Sequence, residues 1–265
     1  MFNGTKTKES CRICGAESKL LFRKKVLRKY FIKYYRCPLC GLVQTEKPYW
    51  LKEAYSLPIA NTDTGLLARN SVFSAIVSVI IYYLFDKKKK HLDYAGGYGV
   101  LTRLLRDIGF DYHWFDPYTK NMFSVSFEAK KSEKYQIVTA FEFIEHVKDP
   151  LREIKQIFKN YKCDALIFST ILYRDPVEEE WWYFAFDSGQ HITFYKQKTL
   201  REIGKMLNLR FYSNNINFHI LSRKKLPLRK FYVAIFFWPI LKFWVNIRMR
   251  SLTFKDHQNL IDKSS

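Results

Sequence analysis

Three groups of residues in this 265-residue chain have the types and spacings that chemistry uses. The first is Cys11-Arg12-Ile13-Cys14-Gly15 together with Cys37-Pro38-Leu39-Cys40-Gly41, two copies of one device. A CxxCG turn aims two thiolates at one point, and its glycine permits the tight backbone beneath them. Two such turns close a tetrahedral four-cysteine site suited to zinc, and a site with every ligand supplied by protein is structural rather than catalytic. The second group is Glu142, Glu145 and His146, spaced E-x-x-E-H, with His191 farther along in Gly189-Gln190-His191-Ile192-Thr193. Two carboxylates and two imidazoles can hold a divalent ion that orients and acidifies a substrate hydroxyl. The plainer alternative is that Glu145 caps the following helix while His146 packs. His191, lying between a strand and a helix, is also the best candidate for a general base. The third group is Asp93-Tyr94-Ala95-Gly96-Gly97-Tyr98-Gly99, with Asp116 beyond it. Such glycines let backbone pass close to a ligand, and Asp116 can accept hydrogen bonds from ribose hydroxyls.

The elements that must position these groups are legible in the hydrophobic spacing. His91 to Tyr94 reads as a short strand running into the glycine turn. Apolar residues then fall at 100, 101, 104, 105 and 108, which is helical spacing. Tyr112-His113-Trp114-Phe115 is a second strand ending at Asp116, so the stretch is half of a nucleotide-binding βαβ unit. A polar, helix-capable stretch follows Pro117. Lys134 to Glu142 reads as a buried strand, Leu151 to Tyr161 as a helix and Ala165 to Thr170 as a further strand. Lys198 to Leu207 is an amphipathic helix, and Leu209 to Leu221 supplies the last strands.

The stretch His91–Asp116 resembles motif I of the class I S-adenosylmethionine-dependent methyltransferases, a strand ending in an acid followed by x-Gly-x-Gly-x-Gly. Asp93 is that acid, and Ala95, Gly97 and Gly99 hold the three glycine positions; Ala95 departs from the pattern, with Gly96 beside it. Asp116 falls where the family places its second acid. Glu145-His146-Val147 with Asp149-Pro150 is similar to the family's fourth-strand motif, and E-x-x-E-H looks like that of small-RNA 2′-O-methyltransferases and ubiquinone O-methyltransferases. The resemblance implies an α/β fold with a Rossmann-like, doubly wound, seven-stranded sheet and S-adenosylmethionine as cofactor. It puts Asp93, Ala95, Gly96, Gly97 and Gly99 around the methionine part of the cofactor and Asp116 on its ribose. Phe141 and Glu142 form the near wall of the pocket, and Phe127 or Glu128 meets the adenine. Glu145, His146 and His191 are the catalytic candidates.

Four segments are expected: a zinc ribbon over 1–48, a linker and leading helix over 49–86, a methyltransferase domain over 87–223 and a basic, aromatic extension over 224–265. Lys19 to Tyr35 alternates like a hairpin, and Lys19 to Arg36 carries eight cations and no acid. Turn residues at Pro58, Asn61, Asp63 and Gly65 mark the linker. Val72 to Phe85 has no charge until Asp86 and is short for a bilayer span, so it reads as a buried helix. Trp181, Trp182, Tyr183 and Phe184 sit where substrate contacts or a packed lid would lie. Cys163, in an apolar run, reads as an inert core thiol. The tail from Leu226 to Arg250 is rich in Phe and Trp with basic flanks. It fits an in-plane helix on an anionic membrane, or an extension packed on the fold or on a second subunit.

Forty-eight per cent hydrophobic residues supply a sizeable core and argue against global disorder. A formal net charge of +20 favours an anionic partner without saying which. Met1 to Ser10 is polar, without the pattern of a secretory signal, and paired CxxC turns suit a reducing, cytoplasmic setting. By analogy with zinc-ribbon methyltransferases, the expected substrate is a sugar or glycan intermediate of surface-polysaccharide biosynthesis. An RNA methyltransferase that captures its substrate through the basic ribbon is the alternative. A noncatalytic scaffold whose cofactor pocket is spoiled by Ala95 is the third reading.

Overall fold

The computed structural model describes residues 8–56, 63–131 and 133–264; Pro58 and Asn61 of the expected linker, and Met1 to Thr7, lie outside them. In chain order the elements are β1 (Lys8–Ser10), β2 (Glu17–Val26), β3 (Tyr30–Arg36), β4 (Val43–Thr45), α1 (Leu51–Ala54) and α2 (Leu66–Leu84). Next come β5 (His91–Tyr94), α3 (Val100–Ile108), β6 (Tyr112–Phe115), β7 (Ile137–Ala140), α4 (Pro150–Asn160) and β8 (Ala165–Ser169). The chain closes with β9 (Thr193–Phe194), α5 (Gln197–Met206), β10 (Arg210–Ser213), β11 (Phe218–Ser222), α6 (Leu228–Phe236), α7 (Trp238–Arg248) and α8 (Thr253–Ser264). Two sheets result, ordered β1-β2-β3-β4-β9 and β10-β11-β8-β7-β5-β6. The chain forms two compact units, one of Met1–Ala60, Glu142–Gln156 and Phe168–Leu221, the other of Asn61–Phe141, Ile157–Ile167 and Ser222–Ser265.

In the first unit the alternation of β2 and β3 does what it promised. The strands pair antiparallel from Lys19↔Arg36 to Val26↔Tyr30. Phe22, Val26, Ile32 and Tyr34 turn inward with Trp50, Tyr183, Phe184 and Phe194. Phe22 stacks on Tyr34 at 4.7 Å, and Phe184 meets both rings edge-on. The fifth strand of this sheet is distant in sequence: β9 pairs with β4 through Val43↔Phe194 and Gln44↔Thr193. The four-cysteine segment therefore shares one sheet with residues far down the chain.

In the second unit, β5 pairs in parallel with both β6 and β7, as a βαβ unit requires. Six strands form this sheet among the described residues, where seven were expected. Beside β6 the chain makes only an isolated parallel bridge, Trp114↔Glu128, with Trp114 N–H donating to Phe127 O (2.8 Å) and Ala129 N–H to Trp114 O (2.7 Å). The edge position is thus held by two hydrogen bonds rather than by a strand. No helix follows Pro117 either. The Asp116 and Asn121 side chains bond local backbone groups there, and such side chains compete with helical turns. The leading helix α2 starts at Leu66, six residues before the charge-free run, and with 19 residues it is long and apolar enough to cross a membrane; half of its apolar window is buried in the fold.

The second unit also holds a buried ion pair. Arg106 of α3 is 5 % exposed, its guanidinium lies 3.6 Å from the Phe127 ring, and it donates to both Asp256 oxygens of α8 at 2.7 and 2.8 Å. Arg103 reaches the same carboxylate at 2.9 Å. Removing one partner of such a pair strands a buried charge. Asp256→Ala should therefore cost about 3–5 kcal/mol of stability in a urea titration, and a loss below about 1 kcal/mol would show that the pair is not needed.

Candidate active site

The glycine turn between β5 and α3 is built around one carboxylate. Asp93 is 2 % exposed, and it accepts from Thr139 Oγ1 of β7 (3.0 Å) and Thr102 Oγ1 of α3 (3.3 Å). Sequence placed Asp93 against the cofactor; the structure buries it as the anchor of the turn itself. Gly96 explains the doubled glycine, because a Cβ there would come within 2.7 Å of Asp93 Oδ2 and 2.8 Å of Trp114 Cδ1. Ala95, Gly97 and Gly99 all have positive φ, 56°, 54° and 86°. Ala95 thus adopts the left-handed conformation of the glycine it replaces, at a cost of roughly 1–2 kcal/mol.

Asp116 closes β6 and returns to this turn. Its Oδ2 accepts the Gly97 N–H at 3.0 Å, and its Oδ1 accepts the N–H groups of Tyr118 (2.7 Å) and Thr119 (3.0 Å). A carboxylate offers about four acceptor positions. With three filled by backbone, Asp116 keeps capacity for about one ribose hydroxyl. The following segment is fastened to the turn as well: Thr119 Oγ1 donates to Gly97 O and Ser124 Oγ to Gly99 O, both at 2.8 Å. Phe141 stacks on Phe73 of α2 at 4.2 Å. Phe127 lies under Arg106, and Glu128 accepts from Asn121 Nδ2 at 2.8 Å, so both candidate adenine contacts have protein partners. These residues fit a nucleoside cofactor: a turn with three left-handed residues leads into a helix N-terminus, and an acid with acceptor capacity stands beside it.

The first unit gathers Glu145, His146 and His191, whose ligand atoms lie within 4.8 Å of one another. Glu145 is fully buried and accepts the Tyr183 hydroxyl at 2.6 Å. His191 Nδ1 donates to the Tyr183 carbonyl at 2.7 Å, which leaves the ring lone pair on Nε2. His146 Nδ1 lies 2.9 Å from the Tyr55 hydroxyl and 3.2 Å from Gln190 O. Burial, helped by His191, pushes the His146 pKa down to about 3, so this imidazole is neutral, the form that ligates metals. Glu142 does not join the cluster: its Oε1 accepts from Ser169 Oγ at 2.7 Å, and its φ of 49° marks local strain. Nor does Glu145 cap a helix. Asp149 does so, accepting the Arg152 N–H at 3.1 Å, while Ile192 N–H and Thr193 Oγ1 secure the Glu145 carbonyl. Of the aromatic run, Tyr183 and Phe184 are core and Trp182 is exposed. Tyr55 and Gln190, which orient His146, were not among the site residues expected from sequence; the adjacency of Gln190 to His191 was the available signal.

The cysteine turns are equivalent in detail. Gly15 N–H donates to Cys11 O and Gly41 N–H to Cys37 O, both at 3.0 Å, and the two glycines have φ of 73° and 82°. The sulfurs of Cys11 and Cys40 lie 3.5 Å apart and those of Cys14 and Cys37 3.4 Å, all four thiols being free. A tetrahedron of sulfurs about 2.3 Å from a common centre has edges of this size. The Cys40 hydrogen bond pulls Cys11 down to about 5, while the same bond and burial push Cys40 upward. So crowded a set cannot ionise fully without a cation. Cys163 is buried, and burial pushes its thiol up to about 12, in keeping with an inert core position.

Parallel pairing of β5 with β6 and β7, a glycine turn after β5 and an acid closing β6 are the arrangement of a nucleotide-binding α/β domain. A family model described as a methyltransferase domain matches residues 69–214, and the chain belongs to that family. Its class is that of the S-adenosylmethionine-dependent methyltransferases. No curated protein matches the sequence. Among solved structures, TnmH is similar at 9% identity over 67% of this chain and 62% of its own, with a TM-score of 0.49. Mitomycin 7-O-methyltransferase MmcR is similar at 10% identity over 66% and 60%, with a TM-score of 0.46. Magnesium protoporphyrin IX methyltransferase from Synechocystis PCC 6803, with bound SAH, is similar at 13% identity over 66% and 93%, with a TM-score of 0.45. The chain thus spans about three fifths of the length of the first two.

Burial also gives Asp93 a measurable signature. Desolvation raises its pKa from 3.8 to about 7, against the pull of the two threonine hydroxyls and with a further push from Asp116. Between these values the folded chain holds a proton that the unfolded chain releases, so stability falls as pH rises from about 4 to 7. The loss from this group should be on the order of 4 kcal/mol at most. Asp93→Asn should flatten that slope in denaturant titrations at a series of pH values. An unchanged slope would show that Asp93 is not the group responsible.

Proposed function

We propose that this chain transfers the methyl group of S-adenosylmethionine to a hydroxyl of a sugar or glycan intermediate of surface-polysaccharide biosynthesis. The observation that carries the reading is the Glu145–His146–His191 cluster. One buried carboxylate and two imidazoles, each oriented by a named partner, suit an acceptor that must be deprotonated and held. The bound cofactor would supply an activated sulfonium methyl, and a divalent ion held by Glu145, His146 and His191 would supply Lewis acidity. The protein's own part is orientation. Tyr183 fixes Glu145 and His191 together through its hydroxyl and its carbonyl. The Tyr183 carbonyl holds the His191 proton on Nδ1, so the ring's one lone pair, on Nε2, would serve the ion, and the ion would make the hydroxyl acidic.

The four thiols are a structural zinc site in this reading, with the spacing given above as its support. Cys37→Ser should lose zinc by elemental analysis and destabilise the first unit; full metal content in the variant would overturn the assignment.

The RNA reading is weaker than the sequence suggested. Of the eight cations between Lys19 and Arg36, Lys24 pairs with Glu180, Arg28 with Asp187, Lys29 with Glu53 and Arg36 with Asp175. The hairpin's charge is thus partly neutralised by acids of its own unit. The scaffold reading loses its ground with family membership and with Ala95 in a glycine-like conformation.

The test is incubation with methyl-labelled cofactor and a panel of sugar nucleotides, lipid-linked glycans and RNA, with and without a chelator. Label should enter a glycan acceptor. Glu145→Gln and His191→Ala should each lower kcat by roughly a hundredfold or more. Label entering RNA alone, or transfer indifferent to both substitutions, would contradict the reading.

A further inference from the structure

The C-terminal helices have two faces, and the fold uses only one. Phe231, Ala234 and Ile235 of α6 and Val245 of α7 are buried, and both helices pack against α2. The other face is apolar as well. On α7 the exposed residues Ile240, Phe243, Trp244 and Ile247 are spaced i, i+3, i+4 and i+7, a single stripe. On α6, Tyr232, Val233 and Phe236 lie on an exposed stripe that runs on to Phe237 at the bend. Phe236 is 68 % exposed, and Ile240 and Phe243 are each 63 % exposed.

Charge identifies what covers this face. From Arg223 to Lys255 the chain contains no acid, and Arg229, Lys230, Arg248 and Arg250 are exposed at the outer ends of the two helices. A protein partner of ordinary composition needs no such exclusion of carboxylates. A surface that is apolar a few ångströms down and anionic at its boundary does. The axes of α6 and α7 meet at 94°, broken at Phe237 with Pro239 in the first turn of α7, so the pair is not one straight span. Of the alternatives left open by the sequence, packing on the fold takes up one face of this bent pair, and the other face is exposed. We infer that the outward face of α6 and α7 seats this protein on an anionic lipid bilayer, with the aromatic stripe inserted at the headgroup boundary and the basic ends on the lipid phosphates.

The experiment is co-sedimentation of the full chain with vesicles of phosphatidylcholine alone or mixed with phosphatidylglycerol, with sedimentation velocity of the vesicle-free protein alongside. The expected result is binding to the anionic vesicles that weakens as salt rises and is much reduced on neutral ones. Substituting Ile240, Phe243, Trp244 and Ile247 together by Ser should lower the partition coefficient at least about tenfold. A second variant, Arg229→Gln, Lys230→Gln, Arg248→Gln and Arg250→Gln, keeps the apolar stripe and should lose the preference for anionic lipid; it decides the matter if the serine variant fails to fold. No binding to anionic vesicles, equal binding to neutral ones, or a preference unchanged in the charge variant would overturn the inference. So would a vesicle-free dimer that the serine variant converts to monomer, since the face would then be a contact between copies of this chain.

Discussion

Burial of the Asp93 carboxylate is the constraint on which the nucleotide-binding half depends. It ties the end of β5 to Thr139 on β7 and Thr102 on α3, so one side chain fixes two strands and the first turn of a helix. Its oxygen then dictates glycine at position 96, where any Cβ would strike it. With 96 fixed, the turn takes its left-handed residues at 95, 97 and 99, and the Gly97 N–H meets Asp116. An acid usually regarded as a ligand contact is here the keystone of the turn that makes the contact. The high pKa of this group is the energetic cost of that position, borne by the folded state near neutral pH.

The other unit is organised by a tyrosine. Tyr183 is buried in the aromatic core with Phe184 and Phe194, yet its hydroxyl and carbonyl both serve the polar cluster, one holding Glu145 and the other His191. The short turn Ile144–His146 is bound in place by Ile192, Thr193 and Tyr195, the residues that enter or adjoin β9. That strand is also the outermost member of the sheet carrying the cysteine turns. The cysteine turns and a carboxylate–imidazole cluster thus share one packed scaffold.

What could be read from sequence was local. The CxxCG turns, the alternation of β2 and β3 and the strand–glycine turn–helix all rest on spacings within a few residues, and each appears where expected. Long-range pairing was not legible: nothing in Thr193-Phe194 announces that it will join Val43 and Gln44. Side-chain competition hid the segment after Asp116, where Asx-type bonds from Asp116 and Asn121 replace a helix and leave the edge strand as a single bridge. At the candidate site the residue types were visible, but roles were not. Asp93 and Glu142 both carry carboxylates that protein hydroxyls occupy, and only coordinates separate such groups from ones aimed at a ligand.

The central claim is that the turn from Ala95 to Gly99, together with Asp116, holds the nucleoside cofactor. Its most direct test is titration of isotope-labelled protein with S-adenosylhomocysteine, following backbone amide resonances. The account predicts that Gly96, Gly97, Gly99, Tyr118 and Thr119 shift together and saturably, while Gly15 and Gly41 beneath the cysteine turns stay still. Saturation with those five amides unmoved would place the cofactor elsewhere and contradict it.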